Sequence, residues 1–326
     1  FLDPYTGQQK GANLSGTNAV LDWISGPTDF RGVNLAGVSF TNSELSSAQF
    51  DQTTIFSFLD PYTGQQQGVN LSGTNAMLTG LTGNIDFRGV NLAGVSFSAS
   101  DLSAAQFDQT TIFSFLDPYT GQQQGANLSG TNAMLTGLTG NIDFRGVNLA
   151  GVSFSGSDLS GAQFDQTTVF SDGANGVNLS GTNAVLSNLY GIVMFGGANL
   201  SGVSFQNSDL SGAMFTIDTI FSQADPVTGQ ISAVDLSGTN ALIALMGAID
   251  FREVDLSGAN LTNSDLSSAL LTGAIFNNST TWPSGFDPIS AGAINTDANN
   301  GPTGGSNGTD DNNTIFVVSG GDFNAP

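Results

Sequence analysis

A leucine or phenylalanine returns every fifth residue through most of this chain. Phe30, Leu35, Phe40, Leu45, Phe50 and Ile55 form one run. Phe87, Leu92, Phe97, Leu102, Phe107 and Ile112 form the next, and Phe144, Leu149, Phe154, Leu159 and Phe164 open a third. A period of five fits neither the 3.6 of a helix nor the 2 of a flat strand. It fits a chain that turns a corner after each short extended step. The central residue of each step then points inward. So does the small or β-branched residue two places before it (Val33, Val38, Ser43, Ala48, Thr53), because side chains alternate along a strand. Gly or Ser takes the corner, where positive φ is often needed.

One such coil cannot stand alone. Each buried Phe or Leu contributes roughly 1.5–3 kcal/mol. Ordering the five residues of its step costs about 1–2 kcal/mol per residue. Stacked coils that share ladder hydrogen bonds close that gap. At twenty residues per coil and about 4.8 Å between coils, roughly 12 coils make a rod about 60 Å long.

A second period, of 57 residues, sits above the five. FLDPYTGQQ begins at Phe1, Phe58 and Phe115, and DFRGVNLAGVSF begins at Asp29, Asp86 and Asp143. Segments 58–114 and 115–171 differ only at Val69/Ala126, Ala99/Gly156, Ala104/Gly161 and Ile112/Val169. Such duplication is tolerated where each copy has only to stack on its neighbour. Spacing from Ile55 to Leu71 points to a six-residue excursion at DPYTG, absent between Val169 and Leu179. A one-residue insertion separates Leu81 from Phe87. The fifth copy runs Leu236, Ala241, Met246, Phe251, Leu256, Leu261, Leu266, Leu271, Phe276 without one. Discounting the excursion, a copy supplies ten faces, or two and a half coils. Successive loops then emerge on opposite sides of the rod.

Ala12-Asn13-Leu14-Ser15-Gly16 and Ala198-Asn199-Leu200-Ser201-Gly202 carry the pattern Ala-Asn/Asp-Leu-Ser-Gly. Sustained over residues 10–276, it resembles the pentapeptide-repeat family. That resemblance implies an all-β fold, a right-handed quadrilateral parallel β-helix. Thr281-Trp282-Pro283-Ser284-Gly285-Phe286-Asp287-Pro288 looks like a closing segment common in cyanobacterial-type members. The domain reading is a solenoid over 1–276, a closing segment over 277–292, a flexible acidic linker over 293–313 and a β-prone tail over 314–326. The Gly, Asn, Asp and Ser richness from 289 onward supports the linker. The chain opens inside a repeat on Phe1, which reads as a processed or truncated product.

The net charge is −22, with one Lys and four Arg. No basic stripe exists to displace counterions, so nucleic-acid binding is not expected. Membrane insertion is not expected either, because no apolar run reaches the length of a span. With no Cys and no His, the usual nucleophiles, bases and zinc ligands are missing, so no catalytic residue, enzyme activity or cofactor is assigned. Paired carboxylates remain, but the acids recur at copy spacing on one solvent face: Asp29, Asp86, Asp143 and Asp250, and Glu44, Asp101, Asp158, Asp209 and Asp265. They read as solvated ladder positions. Calcium is the alternative, with Asp297, Asp310 and Asp311 of the tail as its candidates, although these lack the spacing of a calcium loop.

Two features point to assembly with copies of the same chain. The DPYTG loops carry Tyr5, Tyr62 and Tyr119, readable as tolerated insertions or as lateral contacts. Thr314, Ile315, Phe316, Val317 and Val318 form a β-prone run, readable as a frayed end or as a strand donated to a neighbour. The first function class is therefore an extracellular structural subunit, building a filament, sheet or tape by head-to-tail stacking. Two alternatives remain. One is an acidic, DNA-like inhibitor of a type II topoisomerase, which the family resemblance implies for some members. The other is a calcium-dependent adhesion module. Ice binding would want threonine columns, and only Thr53-Thr54 and its equivalents recur.

Overall fold

The computed structural model describes residues 11–297, apart from positions 119, 155, 174, 206–207, 217, 225–227, 230, 238, 240, 242, 244–248 and 263. Among the described residues there is no α-helix. The chain winds into a four-sided β-solenoid whose coils contact each other through parallel rungs. Asn13 bridges Asn34, and Asn34 bridges Ile55; Asn70 bridges Asn91, and Asn91 bridges Ile112. Most rungs are single residues. They widen into parallel strand pairs at Val20–Asp22 with Ser39–Thr41, Met77–Thr79 with Ser96–Ser98, and Ile275–Phe276 with Ile294–Asn295.

The residue after each rung fills the interior. Phe30, Leu35, Phe40, Leu45, Phe50, Phe87, Leu92, Phe97, Leu102, Phe107, Phe144, Leu149, Phe154, Leu159 and Phe164 are all buried. So are Val33, Val38, Ser43 and Ala48, two positions earlier.

Apart from the hairpins, two lengthened steps break the five-residue count in each copy. Ile55, Ile112 and Val169 are not central: they are 44%, 44% and 38% exposed, while Phe56, Phe113 and Phe170 are each 1% exposed. The step from Phe50 to Phe56 holds one extra residue. It is absorbed by a turn in which the Asp51 carboxylate accepts the Thr53 N–H at 2.9 Å. Thr54, not Thr53, then enters the core, and its hydroxyl donates to the Phe30 carbonyl at 3.0 Å. The second slip follows Leu71. Asn75 at φ 51 and the Thr74 hydroxyl, bonded to the Leu71 carbonyl at 2.7 Å, lengthen that step. Leu78 becomes central against Phe97, and Ala76 takes the smaller inner place. In the fifth copy Ile243 is central and Ala241 takes that smaller place, both fully buried, so its register is not unbroken; Met246 lies outside the described residues.

These slips change how copies stack. Phe30 lies on Phe50, 5.3 Å between ring centroids, whereas Phe87 lies on Phe56 at 5.2 Å and Phe107 at 5.4 Å. Phe56 belongs to the face of Leu35, since Ile55 bridges Asn34. A copy therefore advances nine faces, not ten: two and a quarter coils. Phe144 joins the face of Phe113, Phe195 that of Phe170, and Phe251 that of Phe221, each a further quarter turn on. One set of interior phenylalanines consequently forms a winding stack: Phe30, Phe50, Phe56, Phe87, Phe107, Phe113, Phe144, Phe164, Phe170, Phe195, Phe215, Phe221, Phe251, with Phe40, Phe97, Phe154 and Phe205 edge-on against it. Successive centroids are 5.1 to 5.9 Å apart.

The solenoid also runs past the expected start of the linker. Ala293 is buried, Ile294 pairs with Ile275, and the Thr296 N–H donates to the Phe276 carbonyl at 2.9 Å. Residues 293–297 complete a coil because Ala293 and Ile294 repeat the inner and rung pattern of Ala274 and Ile275, which overrides their polar surroundings. Trp282 packs on Phe276 at 5.3 Å and on Phe286 at 5.6 Å.

Candidate assembly surface

Each copy sends out one hairpin. Ser57–Leu59 pairs antiparallel with Gln66–Gly68, Ser114–Leu116 with Gln123–Gly125, and Ser222–Ala224 with Ile231–Ala233. The neck closes where the Val69 N–H donates to the Phe56 carbonyl at 2.8 Å. At the tip, the Asp60 carboxylate accepts the Tyr62 N–H at 2.8 Å, and the Gly64 N–H reaches the Asp60 carbonyl at 2.8 Å. The hairpin is glycine-dependent at its base. A Cβ on Gly68 would stand 2.2 Å from the Gly89 carbonyl carbon of the adjoining coil.

The excursion takes ten residues beyond an ordinary step, not six, because its neck forms at Phe56 and Val69. The junction before Leu179 is not loop-free either. Ser171 and Gly176 form an antiparallel bridge, a short hairpin at the equivalent place. Among the described residues four hairpins follow Phe56, Phe113, Phe170 and Phe221. Since each copy advances nine faces, they leave the rod at four successive corners. The expected alternation between opposite sides is replaced by a spiral of quarter-turn steps.

The recurring acids follow the same spiral, so they do not share one face. Asp29 bridges Gln49, Asp86 bridges Gln106 and Asp143 bridges Gln163, which keeps carboxylates from stacking on one another. Arg31, Arg88, Arg145 and Arg252 grip the Asp two residues earlier at 2.7 to 2.9 Å. The Arg31 side chain, bonded to Asp29, lowers its pKa to about 2. Burial pushes Asp86 and Asp250 up, but the guanidiniums of Arg88 and Arg252 outweigh it and leave both below the usual carboxylate range. The hairpin joins this arrangement, since the Gln66 amide donates to Ser57 Oγ at 2.7 Å and Asp86 Oδ2 at 3.1 Å.

Of the residues expected to mediate assembly, Tyr62 stands at a hairpin tip, 96% exposed. Tyr5, Tyr119 and Thr314, Ile315, Phe316, Val317 and Val318 lie outside the described residues, as do Asp310 and Asp311. Asp297 accepts the Asn278 N–H at 2.8 Å, an internal structural bond. No acidic cluster able to hold a metal ion occurs among the described residues.

One surface escaped the sequence reading. Val169, Met194 and Met214 form an exposed apolar column, with Ile192 and Tyr190 beside it. Its signal was present in the fourth DFRG equivalent, where Met194-Phe195-Gly196 stands for Asp-Phe-Arg.

These observations define a four-sided parallel solenoid of five-residue faces. A family model for pentapeptide repeats matches in eight copies, over residues 28–55, 83–112, 140–169, 195–216 and 249–280. The chain belongs to the pentapeptide-repeat family. It is similar to HetL, a pentapeptide repeat protein involved in heterocyst differentiation regulation from the cyanobacterium Nostoc sp. strain PCC 7120: 16% identity, 86% of this chain, 95% of that one, TM-score 0.28. It is also similar to QnrB1, a plasmid-mediated fluoroquinolone resistance protein, with 17% identity, 79% and 93% coverage and a TM-score of 0.19. A third similar structure is Rfr23 from the cyanobacterium Cyanothece 51142, at 13% identity, 81% and 88% coverage and a TM-score of 0.10. Likenesses this loose carry no argument about what the chain does. No curated protein matches its sequence.

Proposed function

We propose that the chain is a non-enzymatic structural subunit that assembles with copies of itself outside the cell into filaments, sheets or tapes. The observation that carries this reading is the uniformity of the coil-to-coil contact. The rungs Asn13–Asn34–Ile55, Asn70–Asn91–Ile112 and Asn127–Asn148–Val169 repeat one arrangement in three successive copies, and Ser39–Asn70 and Ser96–Asn127 join each copy to the next in the same way. The junction between copies therefore has one recurring form, and a coil of a second chain that arrives in the same register can continue the ladder. Such a head-to-tail contact does not close and yields a fibre. The run 314–318 is the segment proposed to pair across the junction, and the hairpins supply lateral contacts. Scarce Lys and Arg leave few tryptic sites, which suits an exposed extracellular location.

Negative-stain images at two protein concentrations test this. Filaments that lengthen with concentration support it. Discrete rods no longer than about 100 Å, the length scale set by roughly 12 coils plus a tail, would overturn it and turn attention to the inhibitor reading.

A further inference from the structure

We infer that the apolar column of Val169, Met194 and Met214 receives a hairpin of a second copy of this chain, side by side. This inference deepens the lateral part of the assembly reading and rests on it. Met194 bridges Met214, and Val169 takes the rung place on the same face one coil earlier, since Phe170 stacks on Phe195 at 5.1 Å. The three side chains are 38%, 39% and 55% exposed, and Ile192 at their flank is 78% exposed. In the preceding copy the same rungs read Ile112, Asp143 and Gln163, and Arg145 pairs with Asp143; in the following copy they read Ile220, Asp250 and Leu270, and Arg252 pairs with Asp250. The hairpin also differs. Gln123 of the full-length hairpin donates to Asp143 at 3.2 Å and lies over that rung, whereas the short hairpin bridged by Ser171 and Gly176 has no counterpart to it. The rod therefore lacks, at this corner, both the ion pair and the hairpin arm that shield the equivalent rungs at Asp86 and Asp143.

Charge and shape select a second copy as the occupant. The chain carries −22, so copies repel wherever carboxylates face each other. From Met77 to Met214 no rung of this column is charged. It is a lane along which like-charged rods can approach. The full-length hairpins carry the matching surface. Leu59 and Leu116 are 58% and 55% exposed on their outgoing strands, and Tyr62 projects at a tip. A neighbour's hairpin would occupy the place left by the shortened one and cover methionine side chains, which adapt to such contacts.

The chain has no cysteine, so single-cysteine variants report contacts cleanly. Wild-type chain, Met194→Asp/Met214→Gln, and an oxidised equimolar mixture of Met194→Cys and Tyr62→Cys are compared by sedimentation velocity and non-reducing gels. The double variant carries the residue types that the equivalent rungs of other copies already hold. Its thermal midpoint is expected to match wild type, and its side-by-side association to weaken at least about tenfold, the effect of losing roughly 1.4 kcal/mol. The cysteine pair is expected to give a heterodimeric disulfide above a Ser46→Cys control. Association unchanged in the double variant, or no cross-link above control, would overturn the inference. Filaments that stay single in wild type would sink this inference alone. Patch-dependent dimers without filaments would sink only the head-to-tail reading.

Discussion

Replacing Phe113 by alanine tests the register and the winding phenylalanine stack together. Phe113 is 1% exposed and sits where the stack passes from one face to the next, 5.8 Å from Phe107 and 5.2 Å from Phe144. Its removal deletes a fully buried ring and leaves a cavity between two coils that cannot collapse without breaking rungs. The expected cost is about 3–5 kcal/mol. Ile112, one residue earlier, is 44% exposed, so Ile112→Ala is expected to cost only about 1 kcal/mol. The pair differs by one position in sequence and by severalfold in effect. Both variants should be compared by guanidinium unfolding at a concentration where the chain is monomeric, because assembly adds its own stability. A solenoid transmits damage mainly to its nearest coils. Hydrogen exchange should therefore accelerate most around Phe107 and Phe144 and least in the coils near Phe30 and Phe276. Equal costs for the two variants would refute the register. A uniform rise in exchange along the rod would refute the nearest-neighbour picture.

The ion pairs predict a pH dependence with a fixed sign. The folded-state pKa of Asp86 lies below the ordinary carboxylate value, so its pair with Arg88 stabilises above about pH 4 and that contribution is lost as pH falls further. The stability gap between wild type and Arg88→Gln, about 1 kcal/mol at most after solvent screening, should close on acidification; a gap that widens contradicts the pairing. Glycine supplies a second contrast. Gly125→Ala places a Cβ 2.2 Å from the Gly146 carbonyl carbon and should cost upwards of about 3 kcal/mol, above the usual range for a point change. Gly121→Ala, at φ +66 in open space, should cost about 1–2 kcal/mol, so similar melting of the two variants would refute the hairpin's seat on the coil below.

The inward pattern was legible because it depends on the identity of large apolar residues. Leu35, Leu92 and Leu149 could hardly face water in so regular a run. The faces per copy were not legible, because three local devices change the count without changing the hydrophobic pattern. Ile55 and Phe56 are both apolar and adjacent, and only the Asp51–Thr54 turn decides which enters the core. Ala76 and Leu78 are likewise both buried, and Asn75 at positive φ decides which is central. The neck at Phe56 and Val69 gives the hairpin ten extra residues rather than six. Each choice is made by hydrogen bonds to the backbone, from the Asp51, Thr54 and Thr74 side chains at the two slips and between Val69 and Phe56 at the neck, and the hydrophobic pattern carries no trace of them. The apolar column of Val169, Met194 and Met214 was legible in principle. It appears once copies are aligned by face rather than by residue count.

A quarter-turn error per copy has consequences for assembly. With two and a half coils, hairpins would alternate on two sides and favour a flat tape. With two and a quarter, they visit all four corners and return to the first after nine coils. The copies from Phe144 to Phe195 and from Phe195 to Phe251 differ in length from those before them, yet each still advances nine faces. Residue count thus varies between copies while the face count does not, as it must if rungs are to stay matched. If stacked chains preserve this screw, hairpin density should repeat every nine coils, roughly 43 Å at about 4.8 Å per coil. Oriented fibres should then show a meridional reflection near 4.8 Å and a layer line near 43 Å. A repeat near 24 Å, two turns of a two-sided tape at five coils, would mean that the quarter-turn advance is lost on assembly.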